Sequence, residues 1–446
     1  MKIIQAAEFI SFWKRGTAKN DDETEYAVKE IIAAVRKEGD AAVRRFASRF
    51  DKSSPEKLEV PMSVMLEARE EMRLSDPKLY SAIELSASHI KRFCQKQREQ
   101  FFDFEYEMEK GIVTGQRVIP VQRAAVYVPG GRFPLFSTVM MCLFPAFCAG
   151  VEEVFLASPP LEDGIPDRKI LATAAITAEL ATGKLRVFAV GGAQAIAALA
   201  LGTESIPKVD VIAGPGNKYI AAAKRLLFGE VGIDFIAGPS DVLIVSDDSK
   251  TPDISRNANS HNANLIAADM IAQAEHDPDA RARALVPSRE LAEKIADAAE
   301  KLLAKLPTAK TARSSLEAGG LIIVYGEKEE AIRIANIIAP EHLELHVTDP
   351  ESWIPKLKNY GSLFLGALSA EVLGDYSAGI NHTLPTSGSA SFTGGLSVRH
   401  FLKTVTTLRC SPGDGFEKTR QAAEILANAE GLAGHAQSAA LRKSHK

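Results

Sequence analysis

Short β-rich runs alternate with helical stretches through the middle of this 446-residue chain, and the alternation resumes in its second half. In the middle, each β-rich run reaches glycine or proline shortly after it ends, which is typical of strands that end in turns. Because consecutive parallel strands must be joined by crossover connections, this order predicts parallel sheets covered by helices. The chain is therefore predicted to be an α/β protein.

The alternation divides into two stretches, and each is predicted to form an incomplete Rossmann-like domain with a parallel sheet. The first has strands predicted at residues 124–128, 153–157, 186–190 and 209–213, with helices at 139–150, 169–182 and 193–201. The second has strands predicted at residues 242–246, 284–286, 321–325, 343–347 and 363–365, with helices at 265–275, 289–306 and 328–338. Turns at the ends of these strands are the expected places for binding groups.

Helical segments are also predicted outside the two alternating stretches. Apolar spacing predicts a helix over 24–38, and Asp76 followed by Pro77 predicts a capped helix that runs to about Arg98. The polar run 254–264, ISRNANSHNAN, is predicted to be a surface loop. The predicted division is a small N-terminal segment (1–23), a main α/β domain (24–126 and 240–397), a second α/β domain (127–239) and a helical C-terminal tail (398–446).

Charge and composition favour a protein that acts on small molecules. The 53 basic and 57 acidic residues are interspersed, and the net charge of −4 argues against a nucleic-acid binder. The four cysteines form no C-x-x-C pair and are interpreted as reduced thiols. The N-terminal stretch lacks the apolar core of a signal peptide, and no apolar run reaches the length of a membrane span, so we expect a cytoplasmic protein.

Glycine-rich turns follow three predicted strands of the first stretch. Their sequences are VPGG at 128–131, GGAQ at 191–194 and GPGN at 214–217. None matches the dinucleotide fingerprint G-x-G-x-x-G, and a single turn of this kind is common in α/β proteins. Three such turns on one sheet predict a nucleotide-binding crevice at the strand ends, with backbone N–H groups available to phosphate.

Polar pairs in the second stretch are candidates for metal binding and acid–base chemistry. Gln273 and His276 lie three residues apart at the end of a predicted helix and share a face, although a histidine there is more often a capping or surface group. Glu341 and His342 are adjacent after Pro340, and a bend there would turn two proton acceptors into one cavity. Each pair alone has an ordinary structural explanation.

Two further candidates lie nearer the C-terminus. Asp375 stands beside a glycine in GDY, where a carboxylate either projects freely or forms an Asx turn. The string EGLAGH carries Glu430 and His435 in the predicted tail, where a histidine is usually a surface group. None of these motifs identifies a function by itself.

Taken together and in this order, the motifs resemble the histidinol dehydrogenase family over nearly the whole chain. The strings that carry the resemblance are YVPGG, GGAQAIAALALGTESIPKVDVIAGPGN, AGPSDVL, QAEHDPDA, APEHLEL, GDYSAG, NHTLPT and EGLAGH. The resemblance implies an NAD-dependent, zinc-containing enzyme of histidine biosynthesis. Such an enzyme converts L-histidinol, two NAD⁺ and water to L-histidine and two NADH through bound histidinal.

The resemblance also implies roles for particular residues. One zinc ion per subunit would be held by Gln273, His276, Asp375 and His435. Glu341 and His342 would be the catalytic bases. The substrate contacts implied are Ser240, Gln273, His276, His342, Asp375, Glu430 and His435, and the NAD contacts implied are Tyr127, Gln194 and Asn217.

The family is a homodimer, and the resemblance implies that Glu430 and His435 in the tail complete the partner's site. Three departures from the family pattern are Asp241 in place of the usual glutamate, bulky residues after YVPGG, and the run 254–264 as an insertion. The nearest alternative is a paralogue that oxidises another polar alcohol, such as sulfopropanediol, with the same zinc and NAD chemistry. A non-catalytic zinc-binding paralogue is the other, and the presence of Glu341 and His342 argues against it.

Overall fold

The computed structural model describes residues 1–13, 21–130, 134–248 and 258–443. The first 120 residues are mainly helical. Asp21 and Asp76 begin two of the helices by accepting hydrogen bonds from the backbone N–H groups of Thr24 and Leu79, at 3.2 and 3.1 Å. The elements are β1 (Lys2–Gln5), α1 (Ala6–Phe12), α2 (Asp22–Glu38), α3 (Asp40–Phe50), β2 (Glu59–Val60), α4 (Met62–Ser75), α5 (Pro77–Arg98), β3 (Phe104–Glu109) and β4 (Ile112–Pro120).

The middle of the chain alternates strand and helix as predicted. Its elements are β5 (Arg123–Tyr127), α6 (Phe136–Ala149), β6 (Glu153–Ser158), α7 (Arg168–Leu180), β7 (Lys184–Ala189), α8 (Gly192–Leu201), β8 (Val211–Ala213), α9 (Lys218–Leu227) and β9 (Gly232–Ile233). They form a six-stranded sheet in the order β2-β7-β6-β5-β8-β9, in which every pairing except β2 with β7 is parallel. We call it the first sheet.

The second alternating stretch forms another six-stranded sheet. Its elements are β10 (Asp241–Ser246), α10 (Ala258–Ala274), β11 (Arg281–Val286), α11 (Arg289–Leu303), α12 (Ala309–Gly319), β12 (Leu321–Val324), α13 (Lys328–Ile338), β13 (His342–His346), β14 (Ser362–Leu365) and α14 (Glu371–Tyr376). This second sheet has the order β1-β12-β11-β10-β13-β14, and all its pairings are parallel. The two parallel sheets with crossover helices confirm the predicted α/β class.

The C-terminal part differs from the expected helical tail. It contains β15 (Leu402–Cys410) before α15 (Asp414–Ala429) and α16 (Ala433–Ala440). β15 pairs antiparallel with β4, and β4 pairs with β3, so a three-stranded sheet stands apart from the two parallel ones. The helical tail predicted for residues 398–446 therefore includes a strand at 402–410, which the sequence did not indicate because most side chains of β15 are exposed and polar and leave no apolar alternation to recognise.

Helix packing differs from the predicted grouping of residues 24–126 with 240–397. Helices α2 and α3 contribute apolar side chains to the core on one face of the first sheet, and α4 and α5 contribute to the core on the other face. β1, from the predicted separate N-terminal segment, pairs with β12 in the second sheet. An amphipathic helix fits either sheet equally well, so the spacing of apolar residues could not decide which sheet these helices cover.

Part of the predicted surface loop 254–264 is helical, because α10 begins at Ala258; residues 254–257 lie outside the described part of the chain. The last glycine of VPGG, Gly131, also lies outside it. In the described residues, no helix is both long and apolar enough to cross a membrane.

Candidate functional site

The end of β5 brings two of the predicted cofactor residues together. Tyr127 is the last residue of β5, and its buried hydroxyl accepts a hydrogen bond from the backbone N–H of Gly192 at 3.3 Å. Burial raises the pKa of this phenol to about 12, so it stays protonated. Gln194, two residues on, is fully buried, and its amide nitrogen donates to Asp51 at 3.4 Å. The ends of β5 and β7, between which β6 lies in the sheet, are therefore joined by a hydrogen bond.

Asn217 lies at the neighbouring strand end. Its side-chain oxygen accepts hydrogen bonds from the backbone N–H groups of Tyr219 and Ile220, at 3.0 and 3.2 Å, and so caps α9. The turn before it requires glycine at position 214, where φ is +112° and a Cβ would lie 2.3 Å from the carbonyl oxygen of Tyr127. The GPGN turn therefore packs directly against the end of β5.

A buried ion pair fixes this turn. Lys224 on α9 donates to Asp234 and, at 3.0 Å, to the carbonyl oxygen of Gly214, while Asp234 accepts from the Gly214 N–H at 2.8 Å. Both charged side chains are at most 2% exposed. Sequence reasoning missed this pair, since a lysine in an amphipathic helix is usually a surface residue.

The first sheet changes direction at this place. The chain runs from β5 outward through β6 and β7, and then returns to the other side of β5 to form β8. Such a switch point leaves a crevice at the carboxyl ends of the two neighbouring strands, where α/β proteins commonly bind nucleotides. Tyr127 and Asn217 lie at the ends of these two strands, and a nucleotide site here stays a prediction.

β13 carries the candidate catalytic groups. Its side chains alternate: Leu343 and Leu345 pack in the core beneath α13, whereas His342, Glu344 and His346 point to the opposite face. On that face lies α10, whose polar residues include Gln273, which is 1% exposed. A line of ionisable side chains is therefore buried between a central strand and a helix, where apolar residues are usual.

His342 lies at the centre of this polar layer. Its Nδ1 is 3.3 Å from Oε1 of Gln273 and 3.5 Å from Oε2 of Glu371, and its Nε2 is 3.4 Å from Oδ1 of Asp375. Burial alone would lower the pKa of His342, but the carboxylates of Glu371, Glu341 and Asp375 outweigh it and raise the pKa well above its usual range. Both ring nitrogens of His342 therefore lie within 3.5 Å of carboxylate oxygens that can accept a proton.

Glu341 is held beside His342 by a reciprocal contact between β10 and β13. Its carboxylate accepts from the backbone N–H of Asp241 at 3.1 Å, and Asp241 accepts from the backbone N–H of Glu341 at 3.1 Å. Arg283 donates to the other oxygen of Asp241 at 3.0 Å. Burial raises the pKa of Glu341 to about 8, which makes its carboxylate a stronger base than that of an exposed glutamate. The two oxygens of the Asp241 carboxylate thus bind the Glu341 backbone and the Arg283 side chain at the same time.

The predicted metal ligands converge only in part. The carboxylate of Asp375 lies 3.4 Å from His342. Burial alone would raise the pKa of Asp375, but the nearby imidazoles of His342, His382 and His276 lower it below its usual value. His382 is anchored by a 2.9 Å contact from Nδ1 to the carbonyl oxygen of Asp375. His276 follows α10, is exposed, and lies near enough to contribute to the pKa of Asp375. Gln273 and Asp375 therefore place oxygen atoms 3.3 and 3.4 Å from the two ring nitrogens of His342, and His276 is the predicted nitrogen ligand that acts on the pKa of Asp375.

The other predicted substrate contacts, Ser240, Glu430 and His435, are on other elements of the chain. Ser240 immediately precedes β10, and its carbonyl oxygen accepts from the backbone N–H of Arg281 at 3.0 Å. Glu430 ends α15 and His435 lies in α16, and both are exposed. α16 packs against α15, which is tied to the end of β3 by a 2.6 Å contact between Lys418 and Glu109.

His435 is not brought to the other ligands within this chain. In the described residues, the one group of three or more His, Cys, Asp or Glu side chains with ligand atoms within 4.8 Å of one another is Asp269, Glu344 and His346. His276, Asp375 and His435 do not form such a group. His435 lies on α16, which packs against α15, and α15 exposes the large apolar side chains of Ile425 and Leu426, at 68% and 64%. Exposure of this size is typical of a surface that another chain covers.

Sequence reasoning missed several members of the polar layer. Glu344 and His346 were detectable, because they follow His342 at a spacing of two in a strand. Glu371 and Asp269 carried no such signal, since one begins a six-residue helix and the other lies on a helix whose pattern is mainly apolar.

The fold and this geometry define an α/β enzyme with a nucleotide-type crevice on one sheet and a buried glutamate–histidine pair on the other. A model of the histidinol dehydrogenase family matches residues 14–443. The chain is 44% identical to the histidinol dehydrogenase of Aquifex aeolicus, over 99% of this chain and 97% of that protein. It is also 44% identical to the Thermus thermophilus enzyme, over 99% and 100%.

A solved structure agrees with the sequence comparisons. The histidinol dehydrogenase of Elizabethkingia anophelis superposes with a TM-score of 0.88 at 32% identity and covers 99% of this chain and 97% of its own. The chain belongs to the histidinol dehydrogenase family, which consists of NAD-linked oxidoreductases.

Proposed function

We propose that this protein oxidises L-histidinol to L-histidine in two NAD-linked steps, with histidinal kept bound between them, as the last steps of histidine biosynthesis. The observation that carries the proposal is the buried Glu341–His342 pair, with Gln273 and Asp375 beside it. A dehydrogenase of this kind needs a base for the alcohol proton and a base for water, close to each other and shielded from solvent. We place this activity in the cytoplasm.

The two bases divide the work. His342 takes the alcohol proton as the first hydride leaves the carbon for NAD⁺, which gives the aldehyde. Glu341 removes a proton from water as the water oxygen bonds to the aldehyde carbon. The aldehyde oxygen, which becomes an alkoxide in this step, takes back the proton held by His342, so the hydrate is neutral and His342 is again a base. His342 then takes one hydroxyl proton of the hydrate as the second hydride leaves, which gives the carboxylic acid, and the acid ionises to the carboxylate. Each oxidation therefore releases one hydride to NAD⁺ and one proton to His342.

The residues present fit a zinc ion. Gln273, Asp375 and His276 supply two oxygen donors and one nitrogen donor around one region, and His435 from a second copy of the chain would complete the set. A mixed set of this kind leaves coordination positions open, and zinc bound there acts as a Lewis acid that anchors the substrate. Ser240 and Glu430 complete the proposed substrate contacts, with His342 and the metal ligands.

NAD⁺ is proposed to bind at the switch point of the first sheet. Tyr127, Gln194 and Asn217 would contact it. The buried ion pair of Lys224 and Asp234 holds the GPGN turn in position for this role. A preorganised turn loses little conformational entropy when the cofactor binds.

The position of the tail supports the proposal that the protein is a homodimer. Glu430 and His435 are exposed and borne by helices with exposed apolar side chains, so a second chain both covers this surface and receives these residues.

The test is the yield of NADH from limiting L-histidinol. We expect two NADH for each histidinol and no NADH from sulfopropanediol. One NADH per histidinol would mean that the aldehyde escapes, and none would overturn the proposal. Removal of metal with a chelator should abolish turnover while far-UV circular dichroism stays unchanged. Full activity of metal-free protein would contradict the zinc site.

A further inference from the structure

The polar face of β13 continues beyond the candidate active site. Glu344 and His346 follow His342 at two-residue intervals, and Asp269 lies one helical turn before Gln273 on α10. The strand and the helix therefore present two successive polar layers. The first contains His342 and Gln273, and the second contains Asp269, Glu344 and His346.

The second layer has the geometry of a cation site. Nε2 of His346 is 3.2 Å from Oε2 of Glu344 and 3.9 Å from Oδ2 of Asp269, and the three ligand atoms lie within 4.8 Å of one another. Ligand bonds of about 2.0–2.2 Å to a transition-metal ion separate neighbouring donors by roughly 3–3.5 Å. Small side-chain movements would therefore bring all three donors onto one ion.

Three buried polar atoms of this layer contact only other members of the layer or nothing polar, and none of them makes a hydrogen bond of normal geometry. The His346 side chain is 2% exposed, and neither of its ring nitrogens has a hydrogen-bond partner; Oε2 of Glu344, which is fully buried, also has none. The other oxygen of Glu344 accepts from the backbone N–H of Glu371 at 2.6 Å, which fixes the carboxylate. Unpartnered polar atoms at this depth cost free energy, and native proteins normally satisfy them.

The electrostatic balance of the layer also favours a cation. Asp269, Glu344 and Glu371 are acidic, and within the described ranges none of them forms an ion pair with lysine or arginine. A divalent ion would neutralise this excess of negative charge.

We propose that Asp269, Glu344 and His346 form a second divalent transition-metal site. One imidazole nitrogen and two carboxylate oxygens suit Zn²⁺ or Mn²⁺ better than Ca²⁺, which prefers six or more oxygen donors. The site shares no ligand with the zinc site proposed for catalysis. It stiffens the junction of α10 and β13, which carry Gln273 and His342, and it is independent of which alcohol the enzyme oxidises.

Metal counting on the intact protein tests the site. The protein is stripped with a chelator, dialysed against Zn²⁺, and its zinc is measured per chain by mass spectrometry. We expect two zinc ions for the unmodified protein and one for Asp269→Asn and for His346→Gln. Asp297→Asn, an exposed carboxylate on α11, is the matched control and should keep two. His276→Gln removes a ligand of the catalytic site and should keep the second ion.

The outcomes separate the two sites. The proposal would be overturned if the His346→Gln variant still bound two zinc ions. It would also be overturned if the unmodified protein bound one zinc ion and only His276→Gln removed that ion. A single ion lost in His346→Gln but kept in His276→Gln would support this site and contradict the catalytic zinc. Because a buried substitution can prevent folding, crystals of the unmodified protein soaked in Zn²⁺ give a separate measurement. An anomalous peak among the three side chains is expected, and its absence would overturn the site.

Discussion

The two parallel sheets place their functional residues at opposite ends of their strands. In the first sheet Tyr127 closes β5 and Asn217 follows β8, so the candidate cofactor site lies at the carboxyl ends. In the second sheet Glu341 and His342 lie at the beginning of β13, beside Asp241 at the beginning of β10. The first arrangement follows the general rule for α/β proteins, and the second does not. A shared sheet architecture therefore does not determine which end of the strands carries the chemistry.

The two sheets also differ in what they bury. The central strand of the first sheet carries Ala124, Ala125 and Val126, so apolar packing stabilises both of its faces. β13 gives one face to His342, Glu344 and His346. Substitutions in β13 should therefore change the reaction, and substitutions in the first sheet should change stability and cofactor affinity. The predictions below test this contrast.

The largest effect is expected from His342→Asn. Removal of the proposed base should lower kcat by about 10²- to 10⁴-fold, while the bound zinc stays constant because His342 is not a proposed ligand. Steady-state kinetics and metal analysis measure both quantities. His89→Asn is the control, since Nδ1 of His89 contacts the backbone oxygen of Ser377 at 2.8 Å and His89 has no proposed catalytic or metal-binding role. If His342→Asn kept a tenth of the activity, the proton acceptor would have to be another group.

Glu341→Gln should affect the second oxidation more than the first. Glutamine can still accept from the Asp241 N–H but cannot remove a proton from water, so NADH per histidinol should fall from two towards one. Product analysis should then detect the aldehyde. Glu330→Gln is the control, because Glu330 also accepts from a backbone N–H, that of Gly326 at 2.9 Å, on the surface. Equal slowing of both oxidations would contradict the division of roles.

These two predictions concern His342 and Glu341. The sequence suggested the chemistry of both residues but did not indicate which side chains they contact. The alternation Leu343, Leu345, Val347 predicted β13 to within one residue, because apolar side chains mark one face of a strand. The same alternation gave no indication that Glu371, from a different segment, would lie 3.5 Å from His342. Contacts between distant segments depend on tertiary packing, which local spacing does not encode.

The third sheet contains a strand that the sequence did signal. FEYEME in β3 alternates apolar and acidic residues with a period of two, which is the pattern of a strand, and sequence reasoning missed it. Phe104, Tyr106 and Met108 therefore share one face of β3, and all three side chains are exposed. The proposed metal ligands are the converse case, because local spacing related only Gln273 to His276, and the family resemblance alone related Asp375 to them.

A smaller but distinctive effect is expected when two inactive variants are mixed. His435→Ala and His342→Ala should each be inactive, and hybrid dimers should regain one complete site. Because half of randomly paired dimers are hybrid and half of their sites are intact, activity should return to about a quarter. Subunit exchange followed by an NADH assay measures it, with each variant exchanged against itself as the control. No recovery in verified hybrids would mean that the tail serves its own chain.

The smallest effect is expected in the first sheet, from Asn217→Ala. Asn217 caps α9, so its loss should lower the free energy of unfolding by about 1 kcal/mol. Loss of one hydrogen bond to the cofactor should raise KM for NAD⁺ by about tenfold, with kcat nearly unchanged. Asp167→Ala is the matched control, because Asp167 caps α7 by accepting from Lys169 at 2.8 Å and has no proposed cofactor contact.

The comparison of these two caps separates stability from binding. If both variants lose the same stability and only Asn217→Ala raises KM, the side chain contacts the cofactor in addition to capping its helix. If KM rises equally in both, loosening of a helix start is sufficient to explain the effect. Asn217 would then be a structural residue, and the cofactor would depend on the backbone of the glycine-rich turns, which no side-chain substitution removes.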